Sequence, residues 1–467
     1  MNSLLSTFLT VFALLLFSGC GADYLDINEN PNVATRPPLD GLLANASLGT
    51  ANNHQSISNG HSSYFVQYLA SPNQGSSTDI YDEVTNGGAW NGIYGDMTDL
   101  YDLIRFGEED GLLRHVAIAK ILMAVNLGLI VDNWGSAPYS NAFTGEELRP
   151  TYDTAEELYA SIFTLLEEAI ALMPAAADTP EIGAGSDFVY NGNLDLWTKA
   201  AYSLRARYLN HLSETGAYDP TAVLSAAENG FDSYEEDAAV TRFAIRNPWA
   251  QVAISNAGLV LGGWLSEQFI DAVNGTTYAT VDPRLPLLTN ENEDGEYVGT
   301  PNGEGRAGTG TATSESYLVT EGYFSSENAP LDIITYAELK FIEAEAALAA
   351  SDQNRANTAF REGVTASMLE IGVDSSAAVA YLNEAYDTDA VTLDDLFREK
   401  YVALFLSPET WVDARRYDYA YEDFELPTGA ALNSFPLRVI YPDTETNRNA
   451  ENVPDVTMLT PLFWDTE

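Results

Sequence analysis

Apolar residues near the C-terminus recur at the spacing of an amphipathic helix. In residues 392–419 they fall at intervals of three and four, the repeat of one face of an α-helix. Thr392 and Asp395 stand at the N-cap and N3 positions, where they form a capping box. Ser407 and Pro408 then fit the N-cap and first position of a second helix. The pattern predicts two consecutive helices that fold back on each other.

The same repeat recurs upstream. Residues 112–131 are apolar on nearly every face, which predicts a central buried helix rather than a membrane span. Thr154 and Glu157 predict the start of a capped helix that ends at Pro174. Further helical stripes run through 90–101, 197–208 and 339–349. These segments predict an all-α scaffold of paired helices, which resemble degenerate tetratricopeptide-type units.

Two stretches break the helical pattern. Residues 71–88 are rich in Gly, Ser and Asn, and residues 274–330 are rich in Gly, Thr, Asn, Glu and Tyr without an amphipathic run. A loop region as long as the second is usually functional or disordered in a compact domain. We expect a long, irregular, loop-rich insertion with a few short strands, placed on the ligand side of the scaffold.

The N-terminus has the pattern of an export signal. Residues 4–17 form an apolar run that is too short to span a bilayer and has the length of a signal-peptide core. Small residues then precede Cys20, the one cysteine of the chain. This arrangement resembles the lipobox of bacterial lipoproteins. We expect a signal peptide over 1–19, lipidation of Cys20, a tether over 20–38 with Asn-Pro and Pro-Pro turns, and a single domain over 39–467.

The net charge of the chain limits the kinds of molecule that it can bind. The chain has 69 acidic and 21 basic residues, a formal net charge of −48. Nucleic-acid binding needs a basic surface, so that function is excluded, and an anionic membrane surface would repel the chain. Such acidity is typical of proteins that work in concentrated salt, where a Debye length of about 3 Å near 1 M screens self-repulsion. We therefore hypothesise a halophilic source.

The sequence carries no recognised motif of catalysis or metal binding. The spacing of the four histidines fits no zinc signature, and no nucleophile elbow, phosphate-binding loop or dinucleotide fingerprint occurs. No cofactor or metal is expected. A carboxylate pair that hydrolyses glycosides stays open as an alternative, because 69 carboxylates allow many pairs. A helical scaffold that holds other proteins stays open as a third class.

Four landmarks, in order along the chain, carry a family resemblance. The segment REKYVALFLSPETWVDARR within 392–419 resembles the C-terminal signature of the SusD/RagB-type outer-membrane nutrient-binding lipoproteins. The segment FPLRVIYPDTETNRNAENV at 435–453 resembles the stretch that follows it in that family. Upstream, YLDINENPN at 24–32 and DNWGSAPY at 132–139 resemble two further landmarks of one subgroup.

The resemblance implies a SusD-like fold and a function. It implies a lipid-anchored protein of the outer membrane, facing the cell surface, that captures a nutrient and is not an enzyme. The ligand is expected to be an oligosaccharide, with a peptide as the other possibility. The partner that the resemblance implies is a TonB-dependent transporter of the SusC type, which receives the ligand.

Candidate ligand residues follow from the chemistry of sugars. Aromatic rings stack on the apolar faces of sugars while polar side chains bond the hydroxyls. Rings on helices are expected in the core, so exposed rings were sought on the loops over 73–90 and 290–324. The candidates, with Tyr81 favoured over Trp90 because Trp90 begins a helical stripe, are Asp79, Tyr81, Trp90, Tyr317, Tyr323 and Phe324.

Overall fold

The computed structural model describes residues 36–257, 263–307, 314–386 and 390–465. The chain divides into residues 1–38 and a compact unit, Leu39–Glu467. The expected signal peptide, Cys20 and most of the tether lie outside the described residues, as does the landmark at 24–32.

Helices dominate the compact unit, and the sixteen in the described ranges are numbered in chain order. The first eight are α1 Leu39–Ile57, α2 Ser63–Phe65, α3 Gly87–Asp110, α4 Leu113–Trp134, α5 Ala155–Ala176, α6 Leu194–Asn210, α7 Pro220–Ala227 and α8 Pro248–Ala257. The others are α9 Glu267–Asn274, α10 Leu285–Leu288, α11 Tyr336–Ala349, α12 Gln353–Glu370, α13 Ser375–Ala385, α14 Leu393–Ala403, α15 Glu409–Arg416 and α16 Asp443–Arg448. The all-α prediction is confirmed.

Strands are short and few in this unit. β1 (Leu69–Ala70) pairs antiparallel with β3 (Trp264–Leu265). β2 (Ala238–Val240) pairs antiparallel with β4 (Leu331–Ile334) through an irregular register. The expected irregular region after α9 contains α10, turns and isolated bridges in its described part. One bridge joins Trp264 to Tyr317, so the region is tied to the scaffold.

Helix α4 forms the centre of the core. Its residues from His115 to Trp134 are all buried, and it packs against α3 and α5. In the described part of the chain, α4 and α5 are long and apolar enough to cross a membrane, but the apolar window of α4 is wholly buried in protein. The prediction of a central buried helix at this position is confirmed.

Side-chain caps mark the starts of several helices. The capping boxes predicted at Thr392 with Asp395 and at Thr154 with Glu157 are both present. The start of the second helix of the C-terminal pair was predicted one residue too early: Pro408 is the N-cap and the helix begins at Glu409, whose backbone N–H donates to the hydroxyl of Ser407. A second boundary was also wrong: α5 continues past Pro174 to Ala176, so this proline does not end the helix.

Most charged residues of the C-terminal signature are buried in the core, where Glu399, Lys400, Glu409, Asp413 and Arg416 form ion pairs. The Glu399 carboxylate accepts hydrogen bonds from Arg284 at 2.6 Å, Tyr381 at 2.6 Å and Tyr386 at 2.7 Å. Arg284 also pairs with Asp282. A buried charge is tolerated only when it is paired and hydrogen-bonded. This part of the signature therefore encodes a structural network that joins α14 to α10 and α13.

A second network joins α14, α15 and α11. Asp413 pairs with Lys400 at 2.8 Å and with Arg416 at 2.7 Å, and Arg416 also pairs with Glu345 at 2.6 Å. The guanidinium of Arg415, by contrast, stacks on Trp411 and donates hydrogen bonds to backbone carbonyl groups. Burial lowers the pKa of Arg415. These signature residues are committed to the core.

A third group of ionisable residues is acidic and partly buried. Asp237 precedes β2, Asp332 lies on β4, and Glu370 ends α12, where it accepts a hydrogen bond from Tyr323. Burial, then Asp332, raises the pKa of Glu370 to about 8. Burial raises the pKa of Asp332 to about 7 and that of Asp237 well above its usual range. The folded state therefore holds protons here that the unfolded state has released.

Stability should fall as pH rises through this cluster. A carboxyl whose folded pKa is raised stabilises fully below its unfolded pKa of about 4 and loses that contribution as pH passes its folded pKa. We expect the free energy of unfolding to drop between pH 5 and 9 by an amount on the order of 2–4 kcal/mol. Urea unfolding at fixed high NaCl measures it.

Two variants distinguish the effect of these three carboxyl groups on the pH profile from the effect of the protein's overall charge. Asp332→Asn removes one titrating group and should flatten the pH profile, whereas Asp178→Asn at an exposed position should leave it unchanged. A profile that rises toward pH 9, or one that Asp332→Asn does not alter, contradicts the assignment.

Candidate functional site: an uncharged cleft

A cleft of about 510 Å³ opens on the surface between α1, α8 and the loop that follows β1. This volume lies in the range of small-molecule sites, which is about 300–1,000 Å³. Its described lining residues are Gln55, Asn59, Tyr64, Ser71, Pro72, Asn73, Ser76, Pro248, Gln251, Val252 and Ser255.

The first wall comes from the end of α1 and the turn after it. Gln55 and Asn59 are four residues apart and so lie on the same side of the helix. Asn59 belongs to a π-helical turn, Ser58–Ser62, that continues α1. Such turns are frequent at functional sites. Tyr64 follows on α2, partly buried against the core, and burial raises its pKa.

The second wall is the loop over 71–76, which is fastened from behind. Gly75 N–H donates to the carbonyl of Gly303 at 3.0 Å, and Arg306 N–H donates to that of Pro72 at 3.2 Å. Gly305 has φ +73°, and a Cβ there would lie 2.6 Å from the backbone nitrogen of Gln74. Glycine is therefore required at 305 for the two loops to approach this closely. The loop is held rigidly enough to form a wall.

The third wall is one face of α8. Pro248, Gln251, Val252 and Ser255 are spaced by three and four residues and point to one side. The start of α8 is fixed by Asn247, whose side chain accepts from the N–H of Trp249 at 2.6 Å and donates to Ala329 at 3.0 Å. Trp249 itself is buried. This helix presents a rigid polar face.

The amides of the cleft are not used by the protein. In the described ranges, the side chains of Gln55, Asn59 and Gln251 make no hydrogen bond or ion pair with another residue. Each amide offers both a donor and an acceptor. They can therefore bond a ligand that carries hydroxyl or amide groups without breaking a protein contact.

Other cavities in the described part of the chain carry charge. A groove of about 540 Å³ between Tyr234, Tyr336 and α12 includes Arg361 and Glu362. A third cavity is lined by several carboxylates, including Glu267, and a fourth contains three. The cleft beside α8 differs from these because its described lining has no acidic or basic side chain.

The structure places three of the sequence-predicted site residues in the interior. Asp79 is fully buried behind the cleft loop, where it accepts from Asn302 and Gly303 at 2.7 Å each. Tyr81, expected to present its ring to solvent, is fully buried, with its hydroxyl bonded to Gln67. Trp90 is 3% exposed and packs on Trp134, as its helical stripe allowed.

The expectation of exposed rings at this loop is therefore corrected. Tyr81 has φ +59°, which turns its side chain inward against Phe65 and Phe435. Asp79 supports the cleft loop from behind rather than facing the opening. Burial raises the pKa of Asp79 to about 6. A ligand in the cleft would not reach these side chains without rearrangement of the core.

The second set of predicted residues is partly buried and dispersed. Tyr317 packs on Trp264, and the Tyr323 hydroxyl bonds Glu370 in the acidic cluster. Phe324 packs on Tyr323 and lines a cavity of about 40 Å³ to which Gln55 also contributes. Phe324 therefore shares a small neighbouring cavity with one lining residue of the cleft, Gln55.

The sequence does contain a signal for the cleft, but it is not aromatic. Residues 41–78 contain no Asp, Glu, Lys or Arg, and neither do residues 247–266, in a chain where such residues make up 19%. Every described lining residue of the cleft comes from these two runs. A search for stretches without charge would have found both walls.

The described residues do not suggest a metal centre. No group of three or more His, Cys, Asp or Glu side chains among them is placed to hold an ion. The four histidines are buried, and His61 bonds Asn133 while His211 bonds Glu409. Burial lowers the pKa of His61 to about 4.

Comparison with known proteins adds the family. Residues 31–442 match the SusD-like family that is described as starch-binding and associating with the outer membrane. Comparison with curated proteins gives no significant match.

Solved structures share the fold. A SusD/RagB family protein from Bacteroides thetaiotaomicron is 24% identical, with a TM-score of 0.74, over 92% of this chain and 99% of that one. A chitin-binding SusD homologue from Flavobacterium johnsoniae is 21% identical, with a TM-score of 0.77, over 91% and 98%. A SusD homologue from Bacteroides uniformis is 22% identical, with a TM-score of 0.74, over 92% and 99%. With a family match over most of its length and this fold, the chain belongs to the SusD-like family.

Proposed function

We propose that this chain is a cell-surface lipoprotein that binds an oligosaccharide in the uncharged cleft and passes it to a TonB-dependent transporter of the SusC type. The observation that carries the proposal is the set of unpartnered amides on two rigid helical walls. Hydroxyl-rich ligands need donors and acceptors in equal measure, which amides supply. The family description as starch-binding and the chitin-binding relative support a glycan as the ligand.

Binding without cleavage is the first expected result. The protein is incubated with insoluble polysaccharides, and both retention and new reducing ends are measured. Retention alone supports the proposal. New reducing ends would support a glycoside hydrolase instead, and the absence of both would support a protein-interaction scaffold.

The cleft is tested by removing two of its amides. Asn59→Ala with Gln251→Ala should weaken binding about tenfold or more, because each lost hydrogen bond contributes roughly 0.5–1.5 kcal/mol. Both side chains lack partners in the described protein, so the unfolding midpoint should not change. Asn354→Ala, at an exposed position on α12, is the matched control. Equal affinity of the double variant and the control would place the site elsewhere.

The membrane anchor gives a separate prediction. If Cys20 is lipidated, Cys20→Ser should move the protein from the membrane fraction to the soluble fraction, because the acyl chains supply the membrane affinity. Fractionation followed by immunoblotting measures this. Continued membrane retention of the variant, with a lipid label absent from the unaltered protein, would refute the anchor.

A further inference from the structure

We propose that the cleft selects uncharged glycans and rejects those that carry carboxylate or sulfate groups. The inference rests on the proposed function and names the class of ligand for the same site. Its first ground is the lining itself. Tyr64 is the one titratable side chain among the described lining residues, and its pKa is raised.

An anionic sugar would therefore lose hydration without gaining a cationic partner. Burying an ionised carboxylate costs far more than burying a hydroxyl unless a cation pairs with it. A neutral sugar loses only hydroxyl hydration, which the amides of Gln55, Asn59 and Gln251 replace. Removal of water therefore costs more free energy for the anionic sugar than for the neutral sugar when each binds in the cleft.

Cationic residues of the protein are engaged elsewhere. All four lysines are in ion pairs: Lys120 with Glu168, Lys199 with Asp232, Lys340 with Glu362 and Lys400 with Asp413. Two arginines lie near the cleft walls: Arg246 precedes α8 in sequence, and the backbone N–H of Arg306 donates to the carbonyl of Pro72. The guanidinium of Arg306 lies over the Trp264 ring at 5.0 Å, and that of Arg246 lies 4.0 Å from Glu327. Neither lines the cleft.

A fixed negative charge also stands behind the wall. Asp79 bonds the backbone N–H of Ser71 and acts electrostatically on Tyr64, both of which line the cleft. With a pKa of about 6, Asp79 is mostly ionised at neutral pH, and the buried charge is less screened than a surface charge. Local repulsion of anions adds to the absence of a cationic partner.

The test uses matched pairs of soluble ligands. Hexamers of β-1,4-glucose and α-1,4-glucose are compared with their C6-oxidised counterparts, which carry a carboxylate on each ring, and with an N-acetylglucosamine hexamer. Calorimetric titration is done at 0.15 M and 2 M NaCl. At the higher salt the Debye length is below about 3 Å, so long-range repulsion by the protein is removed.

We expect at least one neutral hexamer to bind about tenfold or more tightly than an oxidised hexamer at 2 M NaCl, because the cost of desolvation persists in salt. If an oxidised hexamer binds as tightly as its neutral counterpart at 2 M NaCl, selection by the cleft is refuted while glycan binding stands. If no hexamer binds at either salt concentration, the proposed function fails and the inference fails with it.

A positive charge placed in the cleft should weaken or abolish the selection. Gln251→Lys supplies the missing cation and should raise affinity for the oxidised hexamer about tenfold, in the manner of a charged hydrogen bond. Asn354→Lys adds the same charge outside the cleft and should not change this affinity at 2 M NaCl. Equal behaviour of the two lysine variants overturns the assignment of selectivity to the cleft.

Discussion

Replacing Glu399 with alanine should destabilise the protein by about 3–5 kcal/mol, the usual cost of breaking a buried ion pair from one side. The change removes the acceptor of Arg284, Tyr381 and Tyr386 together. Each of these groups is buried, so water cannot replace the lost bonds. Urea unfolding followed by circular dichroism measures the shift.

Two further variants test whether the loss of stability comes from the buried contacts of Glu399. Glu399→Gln keeps the shape and part of the hydrogen bonding, so it should lie between the unaltered protein and Glu399→Ala. Glu384→Ala removes an exposed carboxylate from the neighbouring α13 and should change stability by less than about 0.5 kcal/mol. If Glu399→Ala and Glu384→Ala unfold at the same urea concentration, the signature network does not stabilise the fold.

Salt should stabilise the protein strongly. With a net charge of −48, surface carboxylates repel one another in the compact state, and NaCl screens that repulsion. We expect the urea midpoint to rise steeply between 0.1 M and 1 M NaCl, with a gain of several kcal/mol. The rise should then level off, because the Debye length is already about 3 Å at 1 M.

The levelling-off of the urea midpoint near 1 M NaCl, together with a set of surface variants, distinguishes screening of charge repulsion from general salting-out. Neutralising four exposed carboxylates should raise stability at low salt and reduce the salt dependence; the set is Glu146→Gln, Glu147→Gln, Glu181→Gln and Glu293→Gln. Equal or greater stability in low salt would refute the halophilic hypothesis.

The periodicity of the sequence predicts helices well because the helical core obeys one rule. The stripe at 339–349 and the buried run in α4 appear where they were expected, since burial of apolar faces dominates both. Pro174 was expected to end α5, but the helix continues to Ala176, so the proline lies inside the last turn. Local sequence patterns therefore predict where helices occur better than they predict where helices end.

The site was predicted less well, for a physical reason. The search favoured loop aromatics, and Tyr81 was chosen because it lies outside any helical period. Periodicity does not reveal where a loop side chain points, and a left-handed backbone at Tyr81 sends the ring inward. The amides of the cleft come from segments distant in sequence, α1 and α8, so their convergence is a property of the fold.

The family signature could be identified from sequence, but its role needed the structure. Lys400, Asp413 and Arg416 have the residue types of a binding site, yet they pair with one another in the core. The charge-free runs, by contrast, carry no motif. Their lack of charge is informative only because the rest of the chain is strongly acidic.

The most direct measurement of the central claim is a crystal structure of the protein grown with a glycan hexamer that it binds. We predict electron density for sugar rings in the cleft, within hydrogen-bonding distance of Gln55, Asn59 and Gln251. Ordered sugar at the groove between Tyr234 and Tyr336, or beside Tyr317, with the cleft empty, would contradict the account.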